Sequence, residues 1–386
     1  MKRVLISIVL LLSAAVAFGQ TNYGKANQAY VMYESERDKG TNIDLMYTYL
    51  VDSYKLFAAL AEDPSNTNIE GTKNRLRAMY PALLNGAIYY SDKRQPQKGL
   101  DCAAGYIDIP QLKVFRTDLF QRDAQYPSVV YYAATSAYAL HKRPQAIKYF
   151  NEFLSLEQQG VTLDEGQVKS SYVYLNMIYN SQKDYAEQEK ILEKAAKKYP
   201  VSLDFLYNLV NVHIATNNMA KLVNTIDRIL AIDPNNTQVL PIKARIMEKQ
   251  GNNEQALEAY GRLYAMNPNS IEIISGLARA NFNIATKIVN EGATIADDAQ
   301  YAVVRQRASQ YLMDAHDLFI KILQAEPTSV KYMQGLAGVY QFMDMDSEYE
   351  VMKQIINEGA SYTTFSDKLT AYNAQLKQSN LASTSF

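Results

Sequence analysis

The chain contains no tryptophan, three histidines and a single cysteine in 386 residues. One cysteine excludes an internal disulfide framework and any cysteine-based zinc site. Glycine (16) and proline (11) are both scarce, which argues against a turn-rich all-β fold. Neither sign of charge dominates: 39 Lys+Arg face 40 Asp+Glu, a formal net charge of −1. A protein that tracks nucleic-acid phosphates carries a basic excess, so no nucleic-acid partner is expected. A Gly-rich phosphate loop, a His-Glu-x-x-His run and a Gly-x-Ser-x-Gly elbow are all missing. His141, His213 and His316 are far apart in sequence and form no i, i+4 metal pair. Asp297-Asp298 and Asp344/Asp346 suit helix starts or solvated turns better than acid–base catalysis. No catalytic residue, metal site or cofactor is therefore assigned, and an enzyme is not expected.

What is present is apolar and aromatic. Hydrophobic residues make up 48% of the chain, too many for global disorder. Tyrosine alone reaches 30. At the N-terminus Lys2 and Arg3 precede an apolar run from Val4 to Val16. The small-x-small sites Ala15-Val16-Ala17 and Ala17-Phe18-Gly19 follow. Charge, short apolar segment and small-residue site together read as a secretory signal peptide over residues 1–19. The protein is then exported, to the periplasm or beyond. No cysteine follows the run that could carry a lipid, because the only one is Cys102. No later stretch reaches about 18 consecutive apolar residues, so the mature chain should hold no transmembrane segment. Cys102 itself, in Leu100-Asp101-Cys102-Ala103-Ala104, reads as a small buried helix residue. The alternative is an intermolecular disulfide in an oxidising compartment.

The strongest internal signal is a period. Pro200, Pro234 and Pro268 lie 34 residues apart. Aligning on them brings Leu175, Leu209 and Lys243 into one column, and Asn176, Val210 and Ala244 into the next. Tyr179, His213 and Met247 follow, then Leu192, Ile226 and Tyr260, then Ala195, Ile229 and Leu263. Within each half-unit the apolar positions recur every three or four residues, as on an amphipathic helix. Each unit thus reads as two helices joined by a polar break at Ser181–Asp184, Thr216–Asn218 or Gln250–Asn253. Proline, lacking the donor an inner helical turn needs, closes one pair or opens the next. A single pair cannot bury its apolar face, but stacked pairs can.

At Tyr172, Leu175, Tyr179, Tyr185, Leu192, Ala195 and Pro200 the chain resembles the tetratricopeptide repeat family. Ala256, Tyr260 and Pro268 extend the match, and Asp233-Pro234-Asn235-Asn236 is typical of the family's repeat junction. Gln188 departs from the pattern, which has Ala there. The resemblance implies an all-α, tetratricopeptide-type α-solenoid, a right-handed superhelix of six to eight helical hairpins. Pro327 lies 59 residues after Pro268, so one repeat carries a helical insertion at about 284–307, which should lengthen both of its helices. The phrases Gly276-Leu277-Ala278 and Gly335-Leu336-Ala337 mark successive first helices. Thr162 with Glu165, and Ser347 with Glu350, look like capping boxes. The expected organisation is residues 20–126 as divergent N-terminal hairpins, 127–360 as the repeat array, and 361–386 as a capping helix and disordered tail. Pro110 to Pro127 should link two units.

In this family the first helix of each hairpin lines a concave groove. The inward columns give Val173, Tyr174, Met177 and Ser181 in one repeat, and Asp204, Tyr207, Asn208 and Asn211 in the next. Gln238, Arg245 and Lys249 follow, then Glu272, Arg279 and Phe282. Asn, Arg and Tyr on one face suit a peptide backbone and its carboxylates. The core of the expected site is Tyr174, Met177, Tyr207, Asn208, Asn211, Arg245, Lys249 and Arg279. One subclass of the family clamps a chaperone C-terminus with Lys, Asn, Asn, Lys and Arg. Only Asn208 falls on a clamp column here; Val173, Met177, Gln238 and Ile242 occupy others. The resemblance implies a non-enzymatic scaffold or adaptor in a Gram-negative cell envelope, with a protein or peptide partner. A holdase for exported proteins and a glycan binder are the alternatives.

Overall fold

The computed structural model describes residues 22–115 and 124–383, with side chains through Gln378. The expected signal peptide lies outside these residues, as do residues 116–123 of the link before Pro127. The described residues form seventeen α-helices, a few 3-10 turns and no strand. The fold is all-α and tetratricopeptide-type.

The helices fall into two compact units, 1–199 and 200–386. The first unit contains four hairpins: α1 (Asn22–Lys39) with α2 (Ile43–Glu62), α3 (Ile69–Asp92) with α4 (Pro96–Asp108), α5 (Tyr126–Ala139) with α6 (Arg143–Gln158), and α7 (Glu165–Gln182) with α8 (Tyr185–Lys198). The second unit has four more: α9 (Leu203–Ala215) with α10 (Met219–Ile232), α11 (Leu240–Lys249) with α12 (Asn253–Met266), α13 (Ile271–Gly292) with α14 (Asp298–Ala325), and α15 (Val330–Phe342) with α16 (Asp346–Glu358). A last helix, α17 (Phe365–Ser383), packs on α16. It is helical through Ser383, so little of the expected disordered tail remains among the described residues.

The 34-residue columns are the core. Leu175, Leu209, Leu192, Ile226, Ala195 and Ile229 are fully buried, and Tyr179, His213, Met247, Tyr260 and Leu263 nearly so. Lys243 is the exception: it is half-buried and bonds Asp227 at 2.7 Å. The insertion lengthens both helices, as expected: α13 has 22 residues and α14 has 28, against 14 in α12. The capping boxes are not formed. Asp164, not Thr162, caps α7 by accepting from the Gln167 amide at 2.8 Å. Met345, not Ser347, precedes α16, and Glu350 pairs with Lys353. Cys102 is buried, as expected of a small helix residue, and burial pushes its thiol up to about 12.

The hairpin turn repeats with the same period. Lys183, Asn217 and Gly251 all adopt positive φ, near 57°, 52° and 74°. In each turn the following amide, of Asp184, Asn218 or Asn252, bonds back to the carbonyl of Tyr179, His213 or Met247, at 2.9–3.0 Å. The left-handed residue ends one helix, and its neighbour is the N-cap of the next. His141 and Asp344 do the same in their own hairpins. A two-residue reversal leaves the paired helices antiparallel and adjacent.

Gln188, the departure from the repeat pattern, has a local reason. Its side-chain amide donates to Asn176 Oδ1 at 2.9 Å, and both groups are buried. The same two columns in the following repeat hold Val210 and Leu222, an apolar pair. Removing one partner of a buried bond costs about 1–3 kcal/mol, whereas replacing both by apolar groups is close to neutral. Gln188→Leu should therefore lower stability by about 1–3 kcal/mol, and Asn176→Val/Gln188→Leu should recover most of that loss. Denaturant unfolding of the three chains checks it; a double variant no better than the single would refute the coupling.

Candidate partner-binding face

The first helices α7, α9, α11 and α13 carry all the residues expected to face a partner, except Gln238. That residue sits in the turn ahead of α11, where Asn236 Oδ1 accepts its backbone amide at 3.2 Å. Pro241 at the first turn of α11 delays the helix start to Leu240, so the register that would have placed Gln238 on a helical face is not reached.

In the first unit the face is aromatic and apolar. Tyr174 stacks on Phe150 at 5.2 Å and leans on Tyr138 at 4.8 Å. Tyr138 also donates to the Met177 sulfur at 3.9 Å. Val173 and Met177 remain 40% and 47% exposed, beyond the reach of the core. Ser181 donates to its own helix at Ile178 and presents less. Tyr138, Tyr174 and Met177 thus form one patch across α5 and α7.

In the second unit the face is polar. Tyr207 is held in place by Asn236, whose Nδ2 donates to its hydroxyl at 2.6 Å. Asn236 is itself buried, and its Oδ1 accepts from the Gln238 and Val239 amides. The Asp-Pro-Asn-Asn junction therefore positions a side chain of the preceding first helix. Asn208 Nδ2 donates to the Asp204 carbonyl at 2.8 Å, and Asn211 and Lys249 are exposed. Arg245 pairs with Glu272 across α11 and α13. Both lie in solvent, so the pair is weak.

Arg279 and Phe282 are already committed. Arg279 Nε and Nη2 grip Glu248 at 2.5 and 3.2 Å, and Nη1 donates to Ser275 Oγ at 3.0 Å. Phe282 packs edge-on against Phe342 at 5.6 Å. The sequence pattern placed Arg279 among the groove residues of α13 but gave no sign of Glu248. That carboxylate also accepts from Tyr260 at 2.8 Å, joining α11, α12 and α13. Burial alone would raise the Glu248 carboxyl, but the Arg279 and Tyr260 bonds outweigh it and hold it below 4.5. Burial, reinforced by Glu248, pushes the Tyr260 hydroxyl up to about 12.

Among the described residues no group of three or more His, Cys, Asp or Glu could hold a metal ion. No described helix is long and apolar enough to cross a membrane.

A tetratricopeptide repeat family model matches residues 179–246. No curated protein matches the chain. Among solved structures, MamA from Desulfovibrio magneticus is 15% identical, covering 55% of this chain and 96% of its own, at a TM-score of 0.33. A tetratricopeptide repeat protein from Parabacteroides merdae is 14% identical, covering 72% and 98%, at a TM-score of 0.31. The TPR2AB domain of yeast Sti1 in complex with pHSP90 is 12% identical, covering 77% and 99%, at a TM-score of 0.33.

A carboxylate whose folded value is depressed contributes stability above its unfolded value and loses it as pH falls. The Glu248 contribution is therefore full above about 4.5 and declines below it. The melting-temperature gap between the natural chain and Glu248→Gln should be largest near neutral pH and shrink on acidification below that value. A gap independent of pH would show that the Glu248 charge does not hold this junction.

Proposed function

We propose that this chain, an all-α protein built on tetratricopeptide repeats, is a non-enzymatic scaffold that binds a protein or peptide through the first helices of its repeats. One observation carries the reading. Side chains on α7, α9 and α11 stay out of a core that is complete without them, with Val173 and Met177 exposed in the first unit and Asn211, Arg245 and Lys249 in the second. Val173 and Met177 lie four residues apart on α7 and form one contiguous apolar strip, the kind of surface that contact sites use. Tyr138 and Tyr174 add flat, amphipathic rings beside Met177. In the second unit the amide groups of Asn208 and Asn211 can bond an extended backbone. Lys249, and Arg245 once released from Glu272, can meet carboxylates.

Export to the cell envelope is part of the proposal. Its support is the N-terminal sequence: Lys2-Arg3, the apolar run, and the small residues ending at Gly19. N-terminal sequencing of the protein recovered from its native cells should begin at Gln20; an intact Met1 would remove this part of the proposal.

The partner is expected at near-fixed stoichiometry in a pull-down from an envelope extract. With that partner purified, Asn208→Ala/Arg245→Ala should raise Kd about tenfold, the loss of roughly one charged hydrogen bond. Unchanged affinity in a correctly folded double variant would overturn the assignment of this face. Recovery of many unfolded clients instead of a defined partner would point to a holdase.

A further inference from the structure

We propose a second binding site, in the furrow between α12 and α14, for a basic amphipathic helix of a partner protein. The furrow has a volume of about 450 Å³ and is shallow and broadly open to solvent, as a docking surface for a helix must be. Its floor is apolar: Leu257 of α12, Leu277 of α13, and Tyr311 and Leu318 of α14. None of these side chains is needed to define the first-helix face, and the site stands or falls independently of it.

The gap exists because Gly261 occupies the middle of α12. A Cβ built there meets nothing within 4 Å, and its backbone is ordinary helix. A methyl group there would touch no neighbour, so the absence of a side chain at Gly261 is not a packing requirement. The glycine costs the helix about 1 kcal/mol relative to alanine.

The rim is acidic. Asp314 and Asp317 line the α14 side. Asp314 accepts from Gln310 at 2.9 Å and Asp317 meets His316 at 2.9 Å, so neither pairs with a lysine or arginine among the described residues. On the α13 side Asn281 is 4% exposed yet lines the furrow. Its Nδ2 donates to the Leu277 carbonyl at 3.1 Å, and its amide oxygen is a further acceptor. Apolar floor, acidic rim and an amide acceptor fit one kind of occupant. A leucine or isoleucine fills the space above Gly261, and lysines or arginines one turn away lay their stems on the floor and their charges on the aspartates. An acidic or neutral helix would leave the aspartates unpaired.

The test uses the full mature chain and a fluorescent synthetic peptide, a leucine-faced helix flanked by lysines, with a control bearing glutamates in place of the lysines. Anisotropy should show the lysine peptide binding, more weakly as salt is raised, and the glutamate peptide failing to bind. Gly261→Trp should fill the furrow and weaken the lysine peptide about tenfold, as should Asp314→Lys/Asp317→Lys, whose substitutions lie on the rim and leave the core intact. Asn208→Ala/Arg245→Ala should leave this affinity unchanged. Absence of binding, or equal binding by the natural chain and the aspartate variant, would overturn the proposal. So would concentration-dependent dimerisation in sedimentation that Gly261→Trp abolishes, because the furrow would then belong to a second copy of this chain.

Discussion

Each hairpin of this protein has an apolar face that it cannot cover alone, and within each unit the seating of one hairpin on the next is what the structure rests on. The second unit shows the device most plainly. Phe319 of α14 lies against the backbone of Gly335 in α15, and Tyr260 of α12 lies against Gly276 in α13. The same 59-residue spacing separates the two glycines, the two rings and the prolines Pro268 and Pro327. An aromatic ring of one hairpin thus enters the next where a side chain is missing. A methyl group at either glycine would collide with a buried ring. Because the contact involves only neighbours, each repeat can vary on its outer surfaces without disturbing those beyond it.

The hairpin turn is the second constraint, and it is geometric rather than chemical. Lys183, Asn217 and Gly251 share a left-handed backbone although only one is glycine. Lysine and asparagine are held there by the bond that follows, from the next amide to a carbonyl one turn back. The strain of a left-handed side chain, about 1 kcal/mol, is small beside the burial that correct helix pairing allows. The polar residues of the breaks therefore serve as caps and reversals.

The two units differ in the surface left over once these demands are met. The first presents Val173, Met177 and the rings of Tyr138 and Tyr174. The second presents amides and a solvent-exposed Arg245–Glu272 pair. Arg279 shows why spacing overstates such a face. It stands in the expected groove column, but Glu248 lies within reach and bonds it. Position on a helix can be counted along the chain, whereas the partner across the interface belongs to a different repeat.

The repeat length, the helix pairs, the lengthened hairpin and most core positions were legible in the sequence. They follow from local rules: apolar residues every three or four positions, and prolines and polar breaks at a fixed period. The caps at Asp164 and Met345, the late start of α11 that removes Gln238 from the face, the Gln188–Asn176 bond, the Glu248 junction and the open furrow above Gly261 were decided only by tertiary structure. Each depends on the distance between side chains separated by a turn or by a whole helix. Periodicity sets which way a side chain points, and only packing sets what it meets.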